Sequence, residues 1–210
     1  METTLEAFRK ECIRGETNVE GGYVNDPTDL GKETNHGITI GLATRYTTKL
    51  KSQFGWNGQM KDLTQEMAFW LYEMEFWHPM FLDDVCKRSR SLARTMFRWG
   101  LKSGSDEPVM AVQETLNCLN NRQAYWPNIT ADGWMGPKTL GTIDAFIKKR
   151  GRDDAMAFLV AQTNADCMHY MKHITLRRPQ EKNEKYFWGW NIRVIREIAG
   201  YLDRYGIPRV

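Results

Sequence analysis

Apolar residues recur every three or four positions along most of the chain, and alternation of apolar with polar residues is scarce. Near the N-terminus the apolar positions are Leu5, Phe8, Cys12 and Ile13. This spacing places side chains on one face of an α-helix, so the pattern predicts a mainly α fold. Helices are predicted near 3–18, 39–50, 64–77, 81–101, 106–120, 136–150, 153–172 and 190–203.

One apolar stripe is rich in methionine and tryptophan. It consists of Met67, Trp70, Leu71, Met74 and Trp77. The spacing is typical of a buried helix face, so core packing is favoured over a sugar-stacking surface.

Residues 20–39, EGGYVNDPTDLGKETNHGIT, interrupt the helical pattern. Glycine, asparagine, aspartate and proline dominate this run, and these residue types form tight turns. The run therefore predicts an irregular loop or a small β-hairpin. Gly21 and Gly22 would end the first helix, which places Glu20 at or just past its C-terminal end.

The loop carries two carboxyl groups suited to different tasks. The negative end of the helix and partial burial would raise the pKa of Glu20, so that it keeps a proton and can act as a general acid. Asp29 lies in the more polar part of the loop and should stay ionised, while the Thr34 hydroxyl could orient a water. Two carboxyls with different pKa values are the usual equipment for hydrolysing a glycosidic bond.

Two other carboxyls compete for the acid role. Glu16 lies one helical turn before Glu20 and is expected to be solvated. Glu33 is flanked by Lys32 and is expected to be ionised. Glu20 is therefore the preferred candidate.

The motifs E-G-G-Y, N-D-P-x-D-x-G and T-N-x-G-I-T resemble the glycoside hydrolase family 108 muramidases. The resemblance implies a lysozyme-like, mainly helical fold with Glu20 as the catalytic acid, assisted by Asp29 and Thr34. The candidate substrate-binding residues are Tyr23, Asn35 and His36. His36 could instead bond to the backbone.

The resemblance continues downstream. Residues 63–77 are similar to the helix that follows the active-site loop in that family, and residues 126–140 and 186–193 resemble its peptidoglycan-binding module. The predicted organisation is a catalytic region, 1–104, and a binding region, 105–210, which could also pack into one globular unit. Lys32, Arg98 and Lys102 depart from the family pattern, which expects Gly, Asp and Asn there.

Composition is that of a globular protein, with 41% hydrophobic residues among 210 and a net charge of +3. From residue 168 onward, however, nine Lys or Arg face four Asp or Glu. A predicted C-terminal stripe combines Ile192, Ile195, Ile198, Ala199 and Leu202 with Arg193, Arg196 and Arg204. Such a basic amphipathic helix suits an anionic wall polymer or outer-membrane surface. No nucleic-acid-binding motif accompanies the charge, so nucleic acid is not expected as a partner.

No cofactor is expected. The four cysteines include no CxxC pair, which favours reduced thiols. His169 and His173 have metal-ligand spacing, but no third ligand is evident, so no metal is predicted.

The N-terminus METTLEAF lacks the features of a signal peptide, and no apolar run is long enough to cross a membrane. We therefore expect a monomer in the cytoplasm of the producing host cell that reaches the wall by a holin-type route.

The sequence thus predicts an endolysin, a lysozyme that hydrolyses the β-1,4 bond between N-acetylmuramic acid and N-acetylglucosamine in bacterial peptidoglycan. One alternative is a lytic transglycosylase, which forms a 1,6-anhydro product. The other is a non-catalytic wall-binding protein.

Overall fold

The computed structural model describes residues 4–19, 22–25, 33–178 and 183–205, with backbone alone for 16–19 and 204–205. The helices are α1 (Thr4–Val19), α2 (Ile40–Arg45), α3 (Thr47–Phe54), α4 (Gln65–Tyr72), α5 (Leu82–Cys86), α6 (Arg90–Ser103), α7 (Asp106–Cys118), α8 (Pro137–Arg150), α9 (Arg152–Arg177) and α10 (Glu184–Tyr205). The predicted mainly α, lysozyme-like fold is confirmed.

The chain divides into two compact units, Met1–His78 and Pro79–Val210. This division by contacts does not test whether 1–104 and 105–210 are separate domains, so that boundary stays a prediction. It does assign α6 to the second unit, where the helix packs against α5, α7 and α9.

In the first unit, α1 packs on α4. Phe8, Cys12 and Ile13 are buried, as the helical spacing predicts. Arg9 of α1 pairs with Glu73, with 2.9 Å between Nε and Oε1, and both side chains are about four-fifths buried. The pair joins α1 to the segment that follows α4, and removing one partner would leave the other charge buried.

The predicted hairpin is present as a three-stranded antiparallel sheet of β1 (Val24–Asn25), β2 (Glu33–Asn35) and β3 (Ile38–Thr39). Strands β2 and β3 are joined by His36 and Gly37, with φ of 50° and 75°. Two consecutive positive φ values match the twist of adjacent strands in a two-residue hairpin, and glycine adopts them without strain.

Two predicted helices are each broken in two. The helix expected near 39–50 is α2 and α3, separated at Tyr46, whose φ and ψ are −107° and 12°. The helix expected near 81–101 is α5 and α6, because Ser89 is extended and its Oγ accepts a hydrogen bond from the Leu92 amide. A serine N-cap starts a new helix, and apolar periodicity alone does not register it.

The methionine-rich stripe lies on α4 and on its continuation, a π-helical segment at Glu73–Trp77. Leu71 and Trp77 are fully buried and Met67 nearly so. The stripe is therefore a core face, as predicted.

In the second unit, α10 begins at Glu184 rather than near 190, and its buried face differs from the predicted one. Val194 belongs to a buried apolar cluster of this unit. Phe187, Trp190 and Ile198 are partly buried and pack against that cluster. Ile195 is instead 46% exposed. The longer helix brings Phe187 and Trp190 into register with Val194, and these aromatic side chains set which face is buried.

One departure from the family pattern in the second unit has a structural explanation. Arg98, a departure from the family pattern, pairs with Glu197 of α10, and both side chains are partly buried. No disulfide joins the four cysteines of the chain, which are Cys12, Cys86, Cys118 and Cys167.

Candidate active site and wall-binding loop

Glu20 and Asp29, the two predicted catalytic carboxyls, lie outside the described residues, as does Lys32. Of the competing carboxyls, the Glu16 side chain is also outside, while Glu33 lies half-buried in β2. The described residues that flank Glu20 in the sequence are Val19, the last residue of α1, and Gly22. The catalytic roles of Glu20 and Asp29 stay predictions.

Thr34 is the central residue of the sheet. It pairs with Val24 of β1 on one side and with Thr39 of β3 on the other. Directly paired residues share a face of the sheet, so the half-buried Thr34 side chain lies between those of Val24 and Thr39. Val24 is 54% exposed, which makes this the more open face of the sheet. Thr39 uses its hydroxyl to accept a hydrogen bond from the Leu42 amide at the start of α2.

Asn35 points to the opposite face and is almost fully buried. Its Nδ2 donates to the carbonyl oxygens of Met60 at 2.7 Å and Leu63 at 3.2 Å. Because these bonds join segments 25 or more residues apart, Asn35 fastens the sheet to the 3₁₀ turn Met60–Asp62. The side-chain amide thus has a structural task, and its predicted contact with substrate stays untested.

Tyr23 and His36 adjoin the sheet: Tyr23 immediately precedes β1, and His36 immediately follows β2. The His36 carbonyl accepts a hydrogen bond from the Tyr72 hydroxyl at 3.2 Å, which ties the hairpin turn to α4. Tyr23 is half-buried, and the Lys61 ammonium lies 5.6 Å from its ring centroid. That distance is within the range of a cation–π contact. Their substrate-binding roles stay predictions.

Glu75 anchors a polar cluster that sequence reasoning missed. Its Oε2 accepts from the Tyr46 hydroxyl at 2.9 Å, and its Oε1 pairs with Arg45. Burial, reinforced by the Glu75 carboxylate, raises the pKa of Tyr46 to about 12. Glu75 lies in the π-helical segment, a local geometry that is frequent at functional sites. No motif in the sequence marks it.

The D-G-W-M-G-P motif of the second unit forms a loop around one buried glutamine. Gln113 of α7 is 1% exposed. Its Nε2 donates to Asp132 Oδ1 at 2.9 Å, to the Trp134 carbonyl at 3.0 Å and to Thr139 Oγ1 at 3.0 Å, and its Oε1 accepts from the Gly133 amide at 3.0 Å. One side chain from another helix therefore sets the conformation of the whole loop.

Asp132 completes the turn. Its Oδ1 accepts from the Trp134 amide at 3.0 Å. This backbone hydrogen bond, followed by the one from Gln113, lowers the pKa of Asp132, and the nearby Lys138 acts in the same direction. The carboxylate is thus the form that the loop stabilises.

His169 and His173 lie on α9 and are both exposed. Among the residues that the structure describes, no group of three or more His, Cys, Asp or Glu side chains is placed to hold a metal ion. Within the same residues, every helix is too short or too polar to cross a bilayer.

Comparison with known proteins identifies two regions. The glycosyl hydrolase 108 family model matches residues 16–104, and the model described as a predicted peptidoglycan domain matches residues 107–195. The solved structure of Brucella abortus SagA superposes with a TM-score of 0.68 at 20% identity, covering 96% of this chain and 97% of SagA. At that identity the likeness shows the fold alone. A search of curated proteins gave no match.

Residues 16–104 are therefore a glycosyl hydrolase 108 region, and residues 107–195 are a peptidoglycan-binding region. The protein is a glycoside hydrolase that acts on peptidoglycan.

Proposed function

We propose that this glycoside hydrolase is a muramidase that cleaves the β-1,4 bond between N-acetylmuramic acid and N-acetylglucosamine. Protonated Glu20 donates its proton to the leaving glycosidic oxygen. A water held by Asp29 and Thr34 attacks the anomeric carbon and loses its proton to the Asp29 carboxylate.

The observation that carries the proposal is the arrangement of elements around position 20. Helix α1, which packs on α4, ends one residue before Glu20. The sheet that begins at Val24 carries Thr34 on its more open face. The Arg9–Glu73 pair and the Asn35 hydrogen bonds fix these elements to the body of the unit. Rigid supports of this kind are what a general acid needs for its position.

Replacing Glu20 by Gln tests the acid role. The amide keeps the shape of the side chain but donates no acidic proton, so clearing of purified peptidoglycan should fall at least about 10²-fold. Glu16→Gln and Glu33→Gln are matched controls that change a carboxyl one turn earlier and within β2. A Glu20→Gln protein that clears the wall within about threefold of the parent would show that another group is the acid.

Product analysis separates this reaction from the transglycosylase alternative. Mass spectrometry of digested peptidoglycan should show reducing muropeptides with one added water per cleaved bond. A 1,6-anhydro-muramic product, which forms by intramolecular transfer and contains no added water, would show that the enzyme is a lytic transglycosylase instead.

We further propose a role as an endolysin. The protein would accumulate as a monomer in the cytoplasm of the producing cell and lyse it when a holin-type pore opens. Expression with and without a co-expressed holin tests this, because lysis should require both. Lysis by this protein alone would mean that it reaches the wall by another route.

The basic end of the chain is proposed to hold the enzyme at an anionic surface of the wall or outer membrane. On α10, Arg196 is exposed and Arg193 is half-buried, while the Arg204 side chain lies outside the described residues. Replacing these three arginines by Gln should weaken sedimentation with wall or outer-membrane preparations and reduce its salt dependence. Unchanged sedimentation and salt response would leave α10 with a packing role only.

A further inference from the structure

We propose that the exposed face of Trp134, together with the cavity beside it, is a binding site for the glycan strand of peptidoglycan, with an N-acetylated hexosamine stacked on the indole. The inference rests on the proposed function for its substrate. It adds a second glycan site, built by the peptidoglycan-binding region rather than by the residues around Glu20.

The backbone of Trp134 is held on both sides. Its amide donates to Asp132, and its carbonyl accepts from the Gly136 amide at 2.8 Å, from Gln113 at 3.0 Å and from the Thr139 hydroxyl at 3.3 Å. A residue with this many backbone partners has little freedom to move. The loop therefore presents its side chain in one place.

The indole ring is nevertheless 56% exposed. One side of it rests on Gly136, where an added Cβ would lie only 2.6 Å from the ring atom Cζ3. Leaving a large aromatic surface in water forgoes the stabilisation that burial would give. A ring that is fixed from behind and open in front is suited to receive a flat apolar surface, such as the C–H face of a pyranose.

Phe81 extends the aromatic surface. Its ring meets Trp134 edge to face, with 6.4 Å between centroids, and it is 38% exposed. Phe81 has a φ of 49°, a conformation that is uncommon for a bulky residue. Strained backbone of this kind persists where its surroundings hold it and often occurs at binding sites.

The cavity beside the ring, about 430 Å³ in volume, has a mixed apolar and polar lining that suits the faces and edges of a sugar. Its polar lining residues include Asn128, Thr130, Asp132 and Lys138. They offer an amide, a hydroxyl, a carboxylate and an ammonium group, which are donors and acceptors for hydroxyl and acetamido groups. Both signs of charge are present, so the cavity favours a hydrogen-bonding ligand over a polyanion.

The test measures binding of a soluble β-1,4-linked N-acetylglucosamine tetramer to the full-length protein, followed by the indole N–H signals of its eight tryptophans in a ¹H–¹⁵N spectrum. The signal lost in Trp134→Phe identifies Trp134. That signal should shift on titration, and Trp134→Ala should bind about tenfold more weakly. Trp134→Phe, which keeps an aromatic face, should lose less.

Two variants sharpen the result. Gly136→Ala keeps the tryptophan but pushes its ring aside, and its φ of −82° suits alanine, so it should also weaken binding. Trp188→Ala removes a tryptophan that is 77% exposed on α10 and should bind like the parent. Unchanged thermal midpoints would show that each variant is folded.

Several outcomes would overturn the site. These are a parent that does not bind the tetramer, a Trp134 signal that stays fixed, a Trp134→Ala protein that binds within about twofold of the parent, or an equal loss in Trp188→Ala. The tetramer contains no muramic acid, so binding is measured apart from the proposed cleavage. Glu20→Gln protein should bind it normally, and a failed muramidase assay would leave this result unaffected.

Discussion

Replacing Gln113 by Ala should destabilise the second unit through a single loop. The change deletes four hydrogen bonds at a side chain that is 1% exposed. Asp132 Oδ1 keeps the Trp134 amide, and the Trp134 carbonyl keeps Gly136 and Thr139. The Gly133 amide loses its Gln113 acceptor, and a cavity opens behind the loop.

The magnitude follows from these losses. Stranding a buried donor costs about 1–3 kcal/mol. Gly133 is half-buried, so water replaces part of the lost bond and the lower half of that range applies. Removing the buried methylene of Gln113 adds about 1 kcal/mol. We therefore expect the free energy of unfolding to fall by about 2–3 kcal/mol.

Urea denaturation measures this change, and amide hydrogen exchange at Gly133 reports it locally. The matched control is Gln162→Ala on α9, since the half-buried Gln162 side chain donates one hydrogen bond, to Asp166 at 2.9 Å. It should cost less than about 1 kcal/mol. Equal effects of the two variants, or unchanged exchange at Gly133, would refute the view that Gln113 organises the loop.

Gln113→Glu provides a pH-dependent counterpart. Its carboxylate would face the Asp132 carboxylate and the Trp134 carbonyl, which raises the pKa of the new side chain in the folded protein. A raised folded-state pKa gives stability at low pH that is lost as pH rises. In the parent, the lowered pKa of Asp132 contributes stability at neutral pH that is lost in acid. The stability difference between parent and variant should therefore widen from about pH 4 to pH 7.

The remaining predictions concern the first unit. Asn35→Ala should lower the free energy of unfolding by about 1–3 kcal/mol, measured by urea denaturation, because it removes the amide that holds the 3₁₀ turn. Asp29→Asn should slow wall clearing about as much as Glu20→Gln if Asp29 is the base, and a crystal structure should then place the two carboxyls about 6.5–9.5 Å apart. In an ultraviolet titration one tyrosine should ionise near pH 12, and Tyr46→Phe should abolish that late phase.

Local features of the first unit could be predicted from the sequence because their causes are local. In the sequence, Gly21 and Gly22 predict that a helix ends near Glu20, and α1 ends at Val19; the hairpin turn follows from Gly37 after His36. Turn chemistry and helical spacing act over a few residues, so a sequence displays them directly. The break at Tyr46 carries no such mark. Its ring meets Trp70, and its hydroxyl meets Glu75, far along the chain.

In the candidate site too, features with local causes could be predicted, whereas features that depend on distant residues could not. The loop motif could be recognised because its residues are contiguous, but the task of Asn35 could not, because its acceptors lie 25 and 28 residues away. A buried asparagine and a substrate-binding asparagine are identical in sequence. Only the position of the Met60 and Leu63 carbonyls distinguishes them.

The contrast between two tryptophans shows why the proposed binding site could not be predicted from the sequence. Trp77 and Trp134 are the same residue type, yet the first is fully buried and the second is 56% exposed. Apolar spacing predicts the burial of Trp77, because its helix has one face to bury. The exposure of Trp134 has a different cause, a loop held by Gln113 from another helix and a glycine at 136 that leaves room beneath the ring. Gln113 is 21 residues away from Trp134, so the local spacing of apolar residues does not predict their contact. A binding surface of this kind depends on contacts between residues that are distant in the sequence. The buried core positions, in contrast, follow from the local spacing of apolar residues.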